Sequence, residues 1–312
     1  MTYKVLITCP PMLKQIRQFD SFFNDKDITI TTPDIIQTLS EEELIKILPE
    51  HDGWIIGDDP ATKSVFEAGI NGNLKAAVKW GIGIDNVDFS ACKDLGIPIT
   101  NTPGMFGSEV ADLAMCYVLG LARDAFFIDR EIRKGNWPKP SGISLSDKTI
   151  GIIGLGDIGK SIAKRSISHD LKIFGWDPYP KNLPDYINYK KKWPLGLSEC
   201  DFIIFACALN KSNYHLLNDE ILYLLKDDVR IVNISRGGLI NEKSLIKGLN
   251  SGKIYSAALD VFETEPLNTN HEILNHPKCI LGSHNASNTV DAVERASIEA
   301  ISKLYEMLKS QR

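Results

Sequence analysis

Short apolar runs, separated by polar stretches rich in glycine and proline, set the rhythm of the first hundred residues. Tyr3–Thr8 alternates as a strand and reaches Pro10–Pro11, where a helix can begin. Asp27–Thr31 reads as a second short strand. Ser40 followed three residues later by Glu43 is a capping box, and the helix it opens runs to about Leu48, before Pro49. Gly53–Gly57 is a buried-strand run, Asp58–Thr62 a loop, and Thr62 an N-cap for a helix over Lys63–Ala68. Leu74–Trp80 is another strand. A helix through Leu95 follows it, stopped by Gly96, and then a strand at Ile97–Thr100. Strands that alternate with helices predict a parallel sheet covered on both faces.

Asn101–Gly107 holds Pro103 and two glycines and reads as a domain crossover. Ser108–Arg123 then places Val110, Leu113, Ala114, Tyr117, Val118 and Leu121 on one broad apolar helix face. Phe126–Lys134 continues as a helix, and Trp137–Pro140 is a loop. The alternation resumes with a strand at Lys148–Ile153, a helix from Lys160 and a strand at Lys172–Trp176. A short helix ends at Cys200. Strands follow at Asp201–Ala206, Val229–Ser235, Ile254–Asp260 and Cys279–Ser283, with helices at Asp219–Leu225, Glu242–Leu249 and Thr289–Leu308. No internal repeat or low-complexity segment interrupts this pattern.

Composition narrows the class. At 312 residues the chain is long for one core, so two domains are expected. A formal net charge of −5 argues against a nucleic-acid partner, and Lys190–Lys192 reads as a solvated face. No apolar run approaches a membrane span, and the apolar part of Met1–Cys9 is too short for a signal peptide. The six cysteines are scattered without CxxC spacing, which fits reduced thiols in a cytoplasm; no clustered ligands suggest a metal site. His271 and His276 flank a loop and read as surface histidines.

The chemistry concentrates in KTIGIIGLGDIG, Lys148–Gly159. Gly154, Gly156 and Gly159 follow a strand and open a helix. They permit the turn, the close approach of a pyrophosphate, and the packing of helix on strand. A glycine turn alone occurs in many α/β proteins. Here a second strand ends in Asp177, about 20 residues on, where an acid can bond a ribose 2′-hydroxyl. Three further residues follow strands: Arg236, Glu265 and His284. Taken singly, each has an ordinary structural reading. Together they offer a carboxylate-binding fork, a proton carrier and an orienting acid.

These stretches, with KWGIGIDNVD (79–88), NTPG (101–104), NISRGGLI (233–240) and AALDVFETEP (257–266), resemble the D-isomer-specific 2-hydroxyacid dehydrogenases, and within them the phosphoglycerate dehydrogenase-like members. The resemblance implies two Rossmann-like doubly wound parallel-sheet domains with a cleft between them, as in formate and glycerate dehydrogenases. A substrate domain would comprise residues 1–100 plus 284–312, and an NAD-binding domain residues 101–283. Arg236 would clamp a substrate carboxylate, His284 would move a proton to or from the 2-oxygen, and Glu265 would bond His284. Backbone N–H groups of Gly81, Ile82 and Gly83 would also meet the carboxylate. The cofactor contacts would come from Gly154, Gly156, Asp157, Ile158 and Gly159 in the turn, and from Asp177 at the ribose, where a carboxylate favours NAD over NADP. Cys207 and Ala208 would lie on the adenosine side. Ser235, Arg236, Asp260, His284 and Ser287 would lie toward the nicotinamide. A homodimer through the helix from Ser108 and the segment to Lys139 is expected, without the C-terminal regulatory domain of longer relatives.

Two places depart from the family pattern. Ser283, Asn285 and Ala286 surround His284, where relatives often have proline, an apolar residue and glycine. After Gly57 the chain reads Asp58-Asp59-Pro60-Ala61-Thr62, where phosphoglycerate-specific relatives tend to place arginine and serine. Two acids there would repel a dianion. Lys79 and Lys139 read as surface charges. The expected activity is NAD-dependent hydride transfer on a small D-2-hydroxy acid or its 2-keto acid, with 3-phosphoglycerate disfavoured among the candidates. The alternative is a dinucleotide-sensing, corepressor-like scaffold with little turnover.

Overall fold

The computed structural model describes residues 2–311. The chain forms two units, one discontinuous: it runs to Phe106 and resumes at Asn288, while the second occupies Gly107–Ser287.

The first unit carries β1 (Tyr3–Ile7), α1 (Pro10–Lys14), α2 (Asp20–Asn24), β2 (Ile28–Thr31), α3 (Glu41–Ile47), β3 (Gly53–Ile56), α4 (Lys63–Ile70), β4 (Ala76–Lys79), α5 (Phe89–Leu95) and β5 (Ile99–Asn101). Its sheet is parallel, in the order β2-β1-β3-β4-β5. Every residue of β3 and β4 is buried, as expected where helices cover both faces of a parallel sheet. Ser40 accepts from the Glu43 N–H while Glu43 reaches back to the Ser40 N–H, so the capping box forms as read. Gly96, at φ +71°, ends α5 in the left-handed conformation that glycine tolerates. Trp54 and Phe66 pack with ring centroids 5.9 Å apart in a core with Leu6, Leu44 and Ile56.

The second unit carries α6 (Gly107–Arg123), α7 (Ala125–Arg133), β6 (Thr149–Ile153), α8 (Asp157–Ile167), β7 (Lys172–Trp176), β8 (Ile187–Tyr189), β9 (Phe202–Phe205), α9 (Asp219–Leu224), β10 (Val229–Asn233), α10 (Glu242–Ser251), β11 (Ile254–Leu259) and β12 (Cys279–Leu281). Its sheet is also parallel, in the order β12-β11-β10-β9-β6-β7-β8. The order reverses beside β6, which creates the crevice at strand carboxyl ends where such sheets bind ligands.

The last helix, α11 (Val290–Ser310), belongs to the first unit. Its Ser297 hydroxyl accepts from the Trp80 indole at 3.1 Å, and Leu304 packs on Gly53. The unit boundaries lie later in the chain than 100/101 and 283/284. Phe106 stays with the first unit because its ring packs 5.0 Å from Trp80. Residues 284–287 stay with the second unit because Asp260 holds them, as described below. Two short elements were not read from the sequence, α2 and the edge strand β8. The helix expected to end at Cys200 is a single 3₁₀ turn at Leu197–Glu199.

Candidate active site

Strand register aligns the crevice. Ile153, the last residue of β6, pairs with Trp176 of β7 and Phe205 of β9. Gly154, Asp177 and the Ala206–Ala208 segment therefore leave the sheet side by side. Gly154 adopts φ +96°, and a Cβ there would lie 2.6 Å from the Cys207 Cα. A Cβ on Gly159 would lie 1.9 Å from the Gly154 carbonyl oxygen, so only glycine lets α8 start this close to the turn. Gly156 differs: a Cβ there would meet nothing within 4 Å. It is also the N-cap of α8 and offers no side-chain cap. Open space above an uncapped helix start is the cradle a pyrophosphate requires, so these residues fit a dinucleotide. Asp157 faces Gly107, and Ile158 is exposed at little more than its edge.

Asp177 is bonded at both oxygens. It accepts from the Leu155 N–H at 2.8 Å and the Tyr179 N–H at 2.7 Å, so it holds the glycine turn. Cys207 is half-buried, and burial pushes its thiol up to about 11, which leaves it a neutral wall. Its carbonyl accepts from the Ser235 hydroxyl, and Ala208 accepts from Asn213 at 2.8 Å.

A second register aligns the other groups. Asn233, Leu259 and Leu281 pair across β10, β11 and β12, and Arg236, Asp260 and His284 follow them. Asn233 shapes the first turn: its side chain accepts from the Ser235 N–H and donates to the Arg236 carbonyl. The Arg236 guanidinium donates to the Ser235 carbonyl at 2.9 Å. Glu265 accepts from the Phe262 N–H through Oε1 at 2.9 Å, and its Oε2 lies 2.7 Å from His284 Nδ1. A carboxylate fixed at one oxygen holds the ring through the other and sets Nδ1 as the protonated nitrogen. His284 stands at φ +54°, a region rarely occupied outside glycine. Its N–H donates to the Asp260 carbonyl at 2.6 Å.

Asp260 is buried and directed into this loop. Its Oδ2 accepts from the Ala286 N–H at 2.8 Å, and the Tyr117 hydroxyl lies 3.4 Å from Oδ1. Burial lifts its carboxyl above the usual range, against the lowering effect of the Asn285 and Ala286 backbone. Ser287, half-buried, closes the loop.

In the first unit the expected carboxylate nest follows β4. Gly81 adopts φ +120°, and its N–H donates to the Thr102 hydroxyl at 2.8 Å, which leaves the expected role to Ile82 and Gly83. The acids after β3 differ from expectation. Asp59 is fully buried and accepts from the Thr8 hydroxyl at 2.5 Å, the Leu39 N–H and the Gly57 N–H; burial raises its carboxyl. Only Asp58 faces outward, and it pairs with Lys79 at 3.1 Å. Lys79 is a buried residue, not a surface charge, because it ends a strand covered on both faces. Its ammonium also donates to the Gly57 carbonyl at 2.7 Å. Lys139 is exposed. His271 is not a bare surface residue either: its Nε2 lies 3.1 Å from Glu242. His215, Glu242 and Glu263 beside it escaped the sequence reading, although Glu263 stands inside the AALDVFETEP stretch.

The model for the D-isomer-specific 2-hydroxyacid dehydrogenase NAD-binding domain matches residues 115–286. A hydroxypyruvate reductase of Thermotoga maritima is 35% identical over 96% of each chain. A D-3-phosphoglycerate dehydrogenase of Methanocaldococcus jannaschii is 32% identical over 88% of this chain, which spans 53% of that protein. The apo structure of a D-lactate dehydrogenase from Escherichia coli superposes with a TM-score of 0.83 at 26% identity, covering 98% of this chain and 97% of that one. With a family match over more than half its length and a relative aligned along nearly all of it, the chain belongs to the D-isomer-specific 2-hydroxyacid dehydrogenases, oxidoreductases that use NAD.

Proposed function

We propose that this protein interconverts a small, unphosphorylated 2-keto acid and its D-2-hydroxy acid. The observation that carries the reading is the Glu265–His284 pair, in which a carboxylate anchored by a backbone N–H holds Nδ1 at 2.7 Å. Bound NADH supplies the hydride. Arg236 holds the substrate carboxylate through its planar fork and polarises the 2-keto oxygen. His284 delivers its Nε2 proton to that oxygen during reduction and takes it back from the hydroxyl in reverse. Glu265 keeps the ring oriented through its contact with Nδ1. Ile82 and Gly83 add backbone donors at the carboxylate.

The unphosphorylated substrate follows from Asp58 and Lys79. The buried ammonium is already bonded to Gly57 and Asp58, and the outward carboxylate repels a dianionic tail. The names hydroxypyruvate reductase and glyoxylate reductase among the relatives support such substrates. The test is NADH oxidation with a panel of 2-keto acids that includes hydroxypyruvate, glyoxylate and 3-phosphohydroxypyruvate. Turnover with an unphosphorylated acid is expected. Preference for the phosphorylated acid refutes the substrate, and NADH binding without turnover of any acid favours the scaffold reading.

We also propose a cytoplasmic homodimer. All six cysteines are unbridged, and among the described residues no helix is long and apolar enough to cross a membrane. A groove of about 660 Å³ between α6, α7 and α8 exposes Leu119 and Phe126 and suits a second copy of the chain. Sedimentation as a monomer at micromolar concentration would remove the dimer.

A further inference from the structure

Two residues before Glu265, the chain makes a contact that the reaction does not use directly. The Glu263 N–H donates to Glu242 Oε1 at 2.7 Å, and the Glu242 N–H donates to Glu263 Oε1 at 2.7 Å. Each carboxylate thus satisfies the other residue's backbone, and the first residue of α10 is joined to the loop after β11.

Each of these carboxylates also meets a histidine. His215 Nε2 lies 3.3 Å from Glu263 Oε1, and His271 Nε2 lies 3.1 Å from Glu242 Oε2. Neighbouring bonds set both rings. Asn241 uses its Oδ1 to cap α10 at the Ser244 N–H, so its Nδ2 donates to His215 Nδ1 at 3.2 Å. His271 Nδ1 accepts from the Ile273 N–H at 3.3 Å. Both histidines therefore accept on Nδ1 and turn a protonated Nε2 toward a glutamate. The His215 contact is at ion-pair distance without hydrogen-bond alignment, so it acts through charge and dipole.

The joined backbone is the floor of the site. Gly237, next to Arg236, lies so close to it that a Cβ would sit 1.8 Å from the Phe262 carbonyl carbon. Glu265 hangs its Oε1 on the Phe262 N–H from the same segment. The His215 N–H donates to the Gly238 carbonyl at 2.8 Å, which ties the Arg236 turn to the same histidine. One short stretch, Phe262–Glu263, thus carries the Arg236 turn and the Glu265 carboxylate together.

We infer that Glu263 and Glu242, each backed by a histidine, are positioning residues that hold the Glu265 carboxylate, and through it the His284 ring, in place. They act through Glu265 and do not touch substrate. The inference rests on the proposed reading of Arg236, Glu265 and His284. A displacement of about 1 Å between groups that act together can slow a reaction about 100-fold, and this clamp resists such a displacement.

The test is a set of variants in the full chain. Glu263→Ala is expected to lower kcat about 10- to 100-fold, with KM and NADH affinity within about twofold. Glu263→Gln, which keeps one acceptor oxygen, recovers most of that rate. In a Glu265→Gln background, Glu263→Ala adds nothing further, because the clamp works through Glu265. The imidazole NMR titration of His284, read without cofactor, moves in Glu263→Ala toward that of Glu265→Gln. If Glu263→Ala does not fold, Glu242→Ala, which removes the acceptor of the Glu263 N–H, enters the same cycle in its place. Full additivity with Glu265→Gln, or parallel loss of kcat and NADH binding, overturns the inference. A wild type that reduces no keto acid overturns the reading of the site instead; the clamp is then judged by the His284 titration, and an unmoved titration sinks it.

Discussion

Replacing Asp177 with asparagine separates two tasks that one carboxylate performs. The side chain accepts from the Leu155 and Tyr179 N–H groups, and the dinucleotide pattern assigns it a ribose 2′-hydroxyl as well. Asparagine has one acceptor oxygen, so one of those N–H groups loses its partner, at a cost of about 1–3 kcal/mol in stability. That loss affects NADH and NADPH alike, because both lie on the same glycine turn. The charge effect does not cancel. At ~5 Å, unit charges repel by ~0.8 kcal/mol in bulk water and ~3.3 kcal/mol at an effective dielectric of 20. A 2′-phosphate carries a charge of about −1.5 to −2. Asp177 is half-buried, between those limits, so the repulsion comes to roughly 2–3 kcal/mol, a factor of about 30 to 150. Lys160, bonded to the Lys181 carbonyl at 2.6 Å, leaves a cation near the turn once the acid is gone. The assay is kcat/KM for both cofactors at a saturating keto acid, with thermal melts in parallel. The NADH:NADPH ratio is expected to fall by that factor. A ratio unchanged within about twofold, while both efficiencies and the melting temperature drop together, would show that Asp177 only braces the turn.

Three further outcomes follow from features already described. Gly156→Ala has room for its methyl group and a φ of −72° that alanine accepts, so stability should stay within about 0.5 kcal/mol while NADH affinity falls at least about tenfold; unchanged affinity by fluorescence titration would move the pyrophosphate elsewhere. Asp260 has a raised folded-state pKa, so its contribution to stability is complete below the ordinary value of 3.8 and is lost as pH rises through the raised one. Melts of wild type and Asp260→Asn should therefore show the wild type's relative stability declining across that interval, and a constant difference would contradict the burial argument. Asp58→Asn removes the outward carboxylate and releases Lys79 charge, so kcat/KM for 3-phosphohydroxypyruvate over hydroxypyruvate should rise about tenfold; no change would exclude this pair from substrate choice.

The glycine turn was legible because its demands are local. Three glycines, a strand before them and an acid after the next strand are spacings within one segment, and the structure places them in one crevice. The Glu265–His284 contact spans 19 residues and joins the loops after two strands, so the residue types suggested a shared role and the family pattern made it specific. The glutamate clamp was hidden for the same reason: Glu242 and Glu263 meet only because β10 and β11 are neighbours. Asp58 and Asp59 show a different limit. Adjacent residues after a strand can point oppositely, and which one turns inward depends on Thr8 and Leu39, donors that the loop's own sequence does not contain. Lys79 was misread because a polar residue at a strand end looks exposed, whereas β4 is covered to its last residue. The three-residue edge strand β8 is too short to show alternation.

The return of α11 to the first unit has a consequence for biogenesis. The second unit is one uninterrupted stretch of chain, so every partner its sheet needs has emerged from the ribosome once Ser287 is clear. The first unit is synthesised earlier yet finished later. Until α11 emerges, Gly53 lacks Leu304, Trp80 lacks the Ser297 hydroxyl, and one apolar side of β3 and β4 faces water. The order of maturation thus inverts the order of translation, and the nascent amino-terminal sheet is the part of this protein that most needs shielding by a chaperone.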